Sequence, residues 1–590
     1  MVSSSASATR RPRWGRRVAL VCLALVVVII TAIGWVLVRG LLAKAELEAI
    51  VPLTQTVRAA AADRDIERLD ELVPEIQHHA ARAASLTSDP LWAAAEAIPF
   101  AGPNLAAVRV VSASIDRIAS TAEPLVAMAR DLRAGAASGS VVQVLGEAHV
   151  PLQQAAEAFS DARRELSGLP GDGVLAPVER GIATTTRFVE EGTPVIDAMA
   201  EASTILPPML GADGPRTLLV MLQNEAELRT SGGLAGSFVL LAAAADGFDI
   251  VQQADSSKFP RRAESIAELP GPIQDLFGDD VGRYVQNATM SPDFALTGAL
   301  VSDWWSGYTG TAPDAVLSID LSVVSALIAA TGPLVLPDGS QIPADELVQR
   351  VLVEPYFTLD AEQQTAFQEV VTAAAMQRIL GPGSDPIAWV EALLAPVGEG
   401  RVSAWSSVAD EQAAIETSPL GGPAARHAAA VGDAYAVYFN DATAGKMDSF
   451  LAVDIGTGST ACRSDGRYDV TVAVTLTNTA PAEARAWPIL VTGGGSQGVA
   501  PGDISTDVAV AAPPGTFLGE VLRDGAPVIP ADAEVAGFPT IRAGSTIAPG
   551  QSSVLTFRFV SGDAREPELS ILHTPLLVPP TASEFDVTCG

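Results

Sequence analysis

Arg229 stands in NEAELRTSGGLAGS (Asn224–Ser237), between the apolar runs TLLVML and FVLLAAAA, and Thr230, Ser231, Gly232 and Gly233 follow it. A glycine-rich bend can turn successive backbone N–H groups inward, and an adjacent guanidinium can grip a phosphate or carboxylate with two parallel bonds. Downstream, QADSSKFPRR places Asp255, Lys258, Arg261 and Arg262 at the far end of an expected hairpin. Three cations beside one carboxylate could hold a pyrophosphate together with a divalent cation such as Mg2+. A third segment, QNATMSPDF, adds Asn287, Ser291 and Asp293 ahead of a helix. The anion-binding candidates are therefore Arg229, Lys258, Arg261 and Arg262, and the metal candidates are Asp255 and Asp293. No residue is assigned as catalytic. The same positions also suit turns and caps, with Ser291 as a cap and Asp293 favouring a first helical turn. Glu225 and Glu227 find no role in this reading.

Other strings offer less. GGGSQG (Gly493–Gly498) satisfies the letter of a dinucleotide fingerprint and of a nucleophile elbow, but both need a helix immediately after. VAPGDISTDV follows instead, which reads as a strand connection. His78 and His79 are adjacent and so do not share a helix face, which disfavours a metal pair. With five histidines in the chain, histidine-based hydrolysis has little material.

The elements that must position these residues fall into blocks. Val18–Val38 carries no charge and at helical rise spans roughly 30 Å, enough to cross a bilayer. Arg10, Arg11, Arg13, Arg16 and Arg17 precede it, so the positive-inside bias holds residues 1–17 as a basic cytoplasmic tail and sends the rest outside. Ala43-Lys44-Ala45 resembles a cleavage site, but the apolar run is longer than a signal peptide needs. Residues 41–206 are Ala-rich, with apolar residues at three- and four-residue spacing, and read as a membrane-proximal helical region. Ile115, Ile118, Ala122, Leu125, Met128 and Leu132 form one such stripe, and LWAAAEAIPFAGPNLAAV (Leu91–Val108) is a distinctive helix–bend–helix patch. Residues 215–454 alternate strand and helix patterns and predict a two- or three-layer α/β domain, including a hairpin at Asp246-Gly247 and a helix with Phe367, Val370, Val371, Ala374 and Ile379 inward. From 456 to 590 helix signals stop. RYDVTVAVTLTN, WPILVT, DVAVAA, TFLGEVLRDG, SSVLTFRFVSG and ELSILHTP predict the strands of an antiparallel β-sandwich. The fold class expected is multidomain α+β behind a single transmembrane helix.

Totals exclude some classes. Across 590 residues, 69 acids against 37 bases give a net charge of −32, which disfavours a nucleic-acid reader. Few lysines, many arginines and abundant alanine suggest a GC-rich, actinobacterial origin. Cys22 lies in the apolar run, while Cys462 and Cys589 bracket the last block and, outside the cytoplasm, would pair as a disulfide.

GADGPRTLLVMLQNEAELRTSGGLAGSF resembles the bacterial envelope family catalogued as domain of unknown function 4012. So do NATMSPDF, PDAVLSIDLSVVSALIAATGPL, AGKMDSFL, the Leu91–Val108 patch and RYDVTVAVTLTNTAP. The α/β block is also distantly similar to the LytR-CpsA-Psr phosphotransferases, which move glycopolymers from a polyprenyl-pyrophosphate carrier onto peptidoglycan. That likeness implies a pocket in which Arg229, and Asp255 with Arg261 or Arg262, hold the pyrophosphate and a cation. It also implies an arginine on the helix of Glu362-Gln363-Gln364, yet no arginine occurs from Val351 through Gln377. Whether the chain is an enzyme is left open. The expected function is binding or transfer of carrier-linked glycopolymers in cell-wall assembly, with lipid bilayer, carrier or peptidoglycan as partners; the alternative is a non-enzymatic envelope scaffold or adhesion protein.

Overall fold

The computed structural model describes residues 14–62, 65–138, 146–169, 173–244, 247–380 and 386–587. Arg10, Arg11 and Arg13 of the basic tail, Asp246 of the expected hairpin, and Cys589 lie outside the described residues. Two compact units divide the chain: residues 1–131 with 147–203, and residues 132–146 with 204–590.

The first unit is helical. Helix Trp14–Ala62 is long and apolar enough to cross a membrane and continues beyond its apolar stretch. Ile66–Thr87 runs back along it, and Ile50, Ala80 and Ala119 share a small core. The expected stripe divides between helices Gly102–Ser120 and Ala122–Ser138. Ile115 and Ile118 pack on a cluster around Val111, Phe159 and Val189, while Leu125 and Met128 pack beside Leu152 and Ala200. His79 is taken up by Glu46, whose Oε2 lies 2.6 Å from Nδ1.

In the second unit, strands β1 (Arg216–Asn224), β2 (Leu234–Ala244), β3 (Gly247–Asp255), β4 (Ala315–Asp320) and β7 (Val402–Ser406) form a sheet in the order β3-β2-β1-β4-β7. The pair β1–β4 is parallel and the others are antiparallel. Because side chains alternate across a strand, the unbroken run TLLVML feeds both faces. Leu218 and Val220 pack under helices Leu321–Thr331 and Ala361–Leu380, while Leu219 and Met221 pack under Gly271–Phe277 and Phe294–Thr309. Three layers result. On helix Ala361–Leu380 the buried positions include Val371, Ala375, Met376 and Ile379, while Val370 stays exposed, a one-position rotation from the expected stripe. Strands β5 (Leu334–Val335) and β6 (Gln341–Ile342) make a small hairpin.

The remaining strands are β8 (Asp433–Asp441), β9 (Leu451–Thr460), β10 (Asp469–Asn478), β11 (Ile504–Ala511), β12 (Phe517–Arg523), β13 (Ala526–Val528), β14 (Ala531–Val535), β15 (Phe538–Ile547), β16 (Ser552–Val560), β17 (Leu569–His573) and β18 (Thr581–Glu584). They form two antiparallel-rich sheets, β13-β12-β16-β10-β9-β18 and β14-β15-β11-β8-β17. Val470, Val472 and Val474 from one sheet share a core with Val437, Phe439 and Val508 from the other. Two expectations are revised here. Strand β8 begins upstream of residue 456 yet lies within these sheets. WPILVT is not a strand: Pro488 starts a short helix, Ile489–Thr492, whose Val491 carbonyl accepts from Lys446 N–H at 2.7 Å and whose side chain fills the shared core. Gly493–Gly498 follows as a short 3-10 turn and bend with no helix after it, and leads on to β11.

Candidate functional site

The segment between β1 and β2 is far longer than a two-residue hairpin needs, and its backbone is buried almost throughout. From Thr230 through Leu234 every N–H donates inside the chain. Thr230 bonds Asn440 Oδ1 at 3.0 Å, Ser231 the Thr289 carbonyl at 3.1 Å, and Gly232 the Arg229 carbonyl at 2.8 Å. Gly233 bonds Gln223 Oε1 at 3.0 Å, and Leu234 the Glu227 carbonyl at 2.9 Å. The inward donors expected for an anion are thus committed to other segments. The glycines serve packing: a Cβ on Gly232, at φ 129°, would lie 2.4 Å from Gln223 Oε1, and one on Gly233 would lie 2.5 Å from the Asn224 backbone.

Glu225 anchors one side of the bend. It is 1% exposed, and its Oε1 accepts from Arg401 Nη1 and from Ser322 Oγ, at 2.8 and 2.9 Å. Its Oε2 accepts from Leu321 N–H at 3.2 Å, at the start of the helix that Asp320 caps. Arg401 Nη1 also reaches Asp320 Oδ2 at 2.8 Å, and Nη2 donates to the Leu576 carbonyl at 2.7 Å. Two buried carboxylates share one guanidinium. Burial, with Asp320 adding repulsion and Arg401 opposing, pushes the Glu225 carboxyl up to about 8.

Arg229 anchors the other side. Its Nε and Nη2 donate to Asn287 Oδ1 at 3.2 and 3.0 Å, and Nη1 to the Leu228 carbonyl at 2.7 Å. Glu227 and Asp441 lie 4.0 Å away on either side. Lys446 bonds Glu227 and sits 5.4 Å from the centroid of the Tyr356 ring. Asp441 takes the Thr443 and Ala444 N–H groups, each at 2.8 Å, and Asp448 Oδ2 takes Leu228 N–H at 2.7 Å. Asp448 Oδ1 is buried and accepts nothing. Burial raises Asp441 to about 6 against the pull of Arg229, and burial with Asp441 beside it holds Asp448 well above the carboxylate range. Burial opposes the charge on Lys446, but Glu227 and Tyr356 outweigh it and its pKa is raised. The two bases, Arg229 and Lys446, thus face Glu227 and Asp441, and the buried charges are offset by pairing and hydrogen bonds.

The other candidates are dispersed over local partners. Asp255 caps Ser256–Lys258 through Ser257 N–H at 2.8 Å, and Lys258 lies 3.9 Å from its Oδ2 with 47% of its side chain exposed. The Arg261 and Arg262 guanidiniums lie over the Tyr284 and Trp304 rings, 5.5 and 5.9 Å from their centroids. Asp293 caps helix Phe294–Thr309, accepting from Ala295 and Leu296 N–H at 3.0 and 3.3 Å. Asp255 and Asp293, the expected cation ligands, are thus given to separate turns. Among the described residues no three His, Cys, Asp or Glu side chains gather as a metal site. Beside Asp255, the cleft lined by Ser237, Thr365, Gln368 and Thr372 holds about 10 Å³, no more than one water.

Sequence reasoning missed Asp320, Arg401, Asn440, Asp441, Lys446, Asp448 and Thr574. Lys446 carried a signal, as one of the chain's three lysines and as part of AGKMDSFL. In three dimensions NATMSPDF, SIDLS and AGKMDSFL all close on the Asn224–Gly233 bend, through Asn287 and Thr289, Asp320 and Ser322, and Lys446 and Asp448.

The model of the family described as protein of unknown function (DUF4012) matches residues 213–356. That DUF4012 match, less than half of the chain, takes in the bend, Asn287 and Asp320, while Arg401, Asp441, Lys446 and Asp448 lie beyond it. No curated protein matches. Among solved structures, a Legionella pneumophila protein described as a "putative nutrient binding protein" is similar over 22% of this chain and 44% of its own, at 9% identity and a TM-score of 0.14.

Proposed function

We propose that this chain is a single-pass, membrane-anchored scaffold of the bacterial cell envelope, with its bulk outside the cytoplasm and no catalytic step of its own. The observation that carries this reading is the saturation of the bend. Arg229, the leading anion ligand in sequence, is 6% exposed and spends its donors on Asn287 and Leu228, and the N–H groups after it are all committed. The three-layer sheet and a terminal β-sandwich are locked by that bend into a rigid platform. The narrow cleft beside Asp255 and the missing arginine between Val351 and Gln377 support the same conclusion. The LytR-CpsA-Psr likeness then concerns architecture rather than chemistry.

A second reading keeps a ligand. Lys258, Arg261 and Arg262 are exposed, and the two arginines are held on aromatic rings, so a polyprenyl-pyrophosphate glycan or peptidoglycan strand could be bound there without transfer. One experiment separates the possibilities: the purified chain is incubated with a polyprenyl-pyrophosphate glycan, a peptidoglycan acceptor and Mg2+. The scaffold reading expects no transferred product. Transfer that disappears in Arg229→Lys while the fold persists would overturn it, and retention of the carrier that Arg261→Ala/Arg262→Ala abolishes would favour the second reading.

A further inference from the structure

The turn Ile98–Ala101 carries a side chain that the chain itself does not use. Phe100 is 93% exposed and adopts φ 68°, a left-handed conformation that costs a non-glycine residue on the order of 1 kcal/mol. Leu91 and Ile98 flank it at 48% and 46% exposure. The backbone of the turn is held by Asn104 Nδ2, which donates to the Phe100 carbonyl at 3.0 Å, while the apolar side chain is left exposed.

The height of this turn along the first helix follows from contacts inside that unit. Arg39 is the first residue after the apolar run, and it donates to the Leu86 and Ser85 carbonyls, at 2.8 and 2.6 Å, and pairs with Asp89 at 3.0 Å. The returning helix Ile66–Thr87 therefore ends level with the end of the apolar run. Trp92 packs against Gly40, where a Cβ would meet its ring at 3.5 Å, and its Nε1 donates to the Leu105 carbonyl at 3.1 Å. Leu105 is thus level with residue 40, and helix Gly102–Ser120 runs away from the apolar run, since Gln77 reaches the Ala119 carbonyl at 3.1 Å. Going back from Leu105 to the helix start at Gly102 descends about 4.5 Å toward the apolar run at helical rise, and the turn that carries Phe100 precedes that start. The turn therefore lies on the Trp35 side of residue 40, and Trp35 is itself half exposed beneath the Arg39 guanidinium at 5.3 Å. Leu175, 65% exposed, is held at the same end by its N–H bond to Asn104 Oδ1 at 2.7 Å.

We infer that Leu91, Ile98 and Phe100 form an interfacial foot that enters the headgroup–acyl boundary of the same bilayer that holds the first helix. This rests on the membrane anchoring proposed above. The occupant is lipid rather than protein because the turn is continuous in height with the apolar run, and Trp35 and Arg39 are the residue types that mark that boundary. Arg39, bonded to the last turn of the returning helix and to Asp89, fixes the depth of the foot.

The full chain, reconstituted in phosphatidylglycerol–phosphatidylethanolamine vesicles, tests this with Phe100→p-benzoyl-phenylalanine. The same replacement at Ile30 reports the spanning helix, and at Ile529, fully exposed in the connection between β13 and β14, it reports solvent. After irradiation, lipid adducts at positions 30 and 100 but not 529, seen by mass spectrometry, are expected. Adducts at 30 without adducts at 100 would reject the foot and leave the anchor standing. Absence at both 30 and 100 would instead remove the anchor on which the inference rests.

Discussion

Arg229 and Glu225 illustrate how burial changes the meaning of a charged residue. Removing one partner from a buried group leaves uncompensated charge, so Arg229→Met should cost about 3–5 kcal/mol by leaving Lys446 alone against Glu227 and Asp441. Urea denaturation would measure it. Arg262→Ala, at an exposed cation–ring contact, should leave the midpoint unmoved. Glu225 carries a second signature. Its carboxyl is raised from 4.5 to about 8, so the folded state holds the proton more tightly than the unfolded chain. The resulting stabilisation is complete below about pH 4.5 and is lost as pH rises to about 8. Stability should therefore fall across that window, and Glu225→Gln should flatten the fall; an unchanged slope would show that another group governs it.

At the scale of elements, the bend between β1 and β2 works as a connector shared by two sets of sheets. Asn440 and Asp441 at the end of β8, and Thr574 after β17, all bond its backbone. Gly232 and Gly233 allow that approach. Gly233→Ala should destabilise by about 1–3 kcal/mol, because its Cβ meets backbone that cannot give way. Gly236→Ala, with nothing nearer than 3.7 Å, is the control. Equal losses in thermal melts would reject the packing account. Much of this scale was legible beforehand. β4, the helix Leu321–Thr331 with its terminal glycine, and the alternation of β10 follow from period and punctuation. WPILVT misled because its apolar content suits either a strand or a core-facing helical turn, and only Pro488 and the docking of Lys446 decide between them.

For the whole molecule, the shared bend should make residues 204–590 unfold as one cooperative unit. Hydrogen exchange should protect the centres of β1 and β10 to the same opening free energy, and Lys446→Met should lower both together. If only β10 loosened, the bend would not be the coupling. The Cys462–Cys589 pairing is a separate expectation at this scale. Thiol titration of the unfolded, unreduced chain should return Cys22 alone, and three thiols would reject the bond.

Local and periodic properties were determined by the sequence: an uncharged apolar run long enough to span, a helical block, an alternating α/β block and a strand-only block. Each depends on neighbours within a few residues, and the hydrophobic effect acts on them wherever they fall. The role of the charged residues was decided by tertiary structure. Arg401 lies 176 positions from Glu225, and Lys446 lies 219 from Glu227. No local pattern shows whether an arginine in a glycine bend faces solvent and a ligand or faces an asparagine and a carboxylate brought from distant segments, as Arg229 faces Asn287 and Asp441. Desolvation separates those cases, and it exists only once the distant segments have closed over the bend.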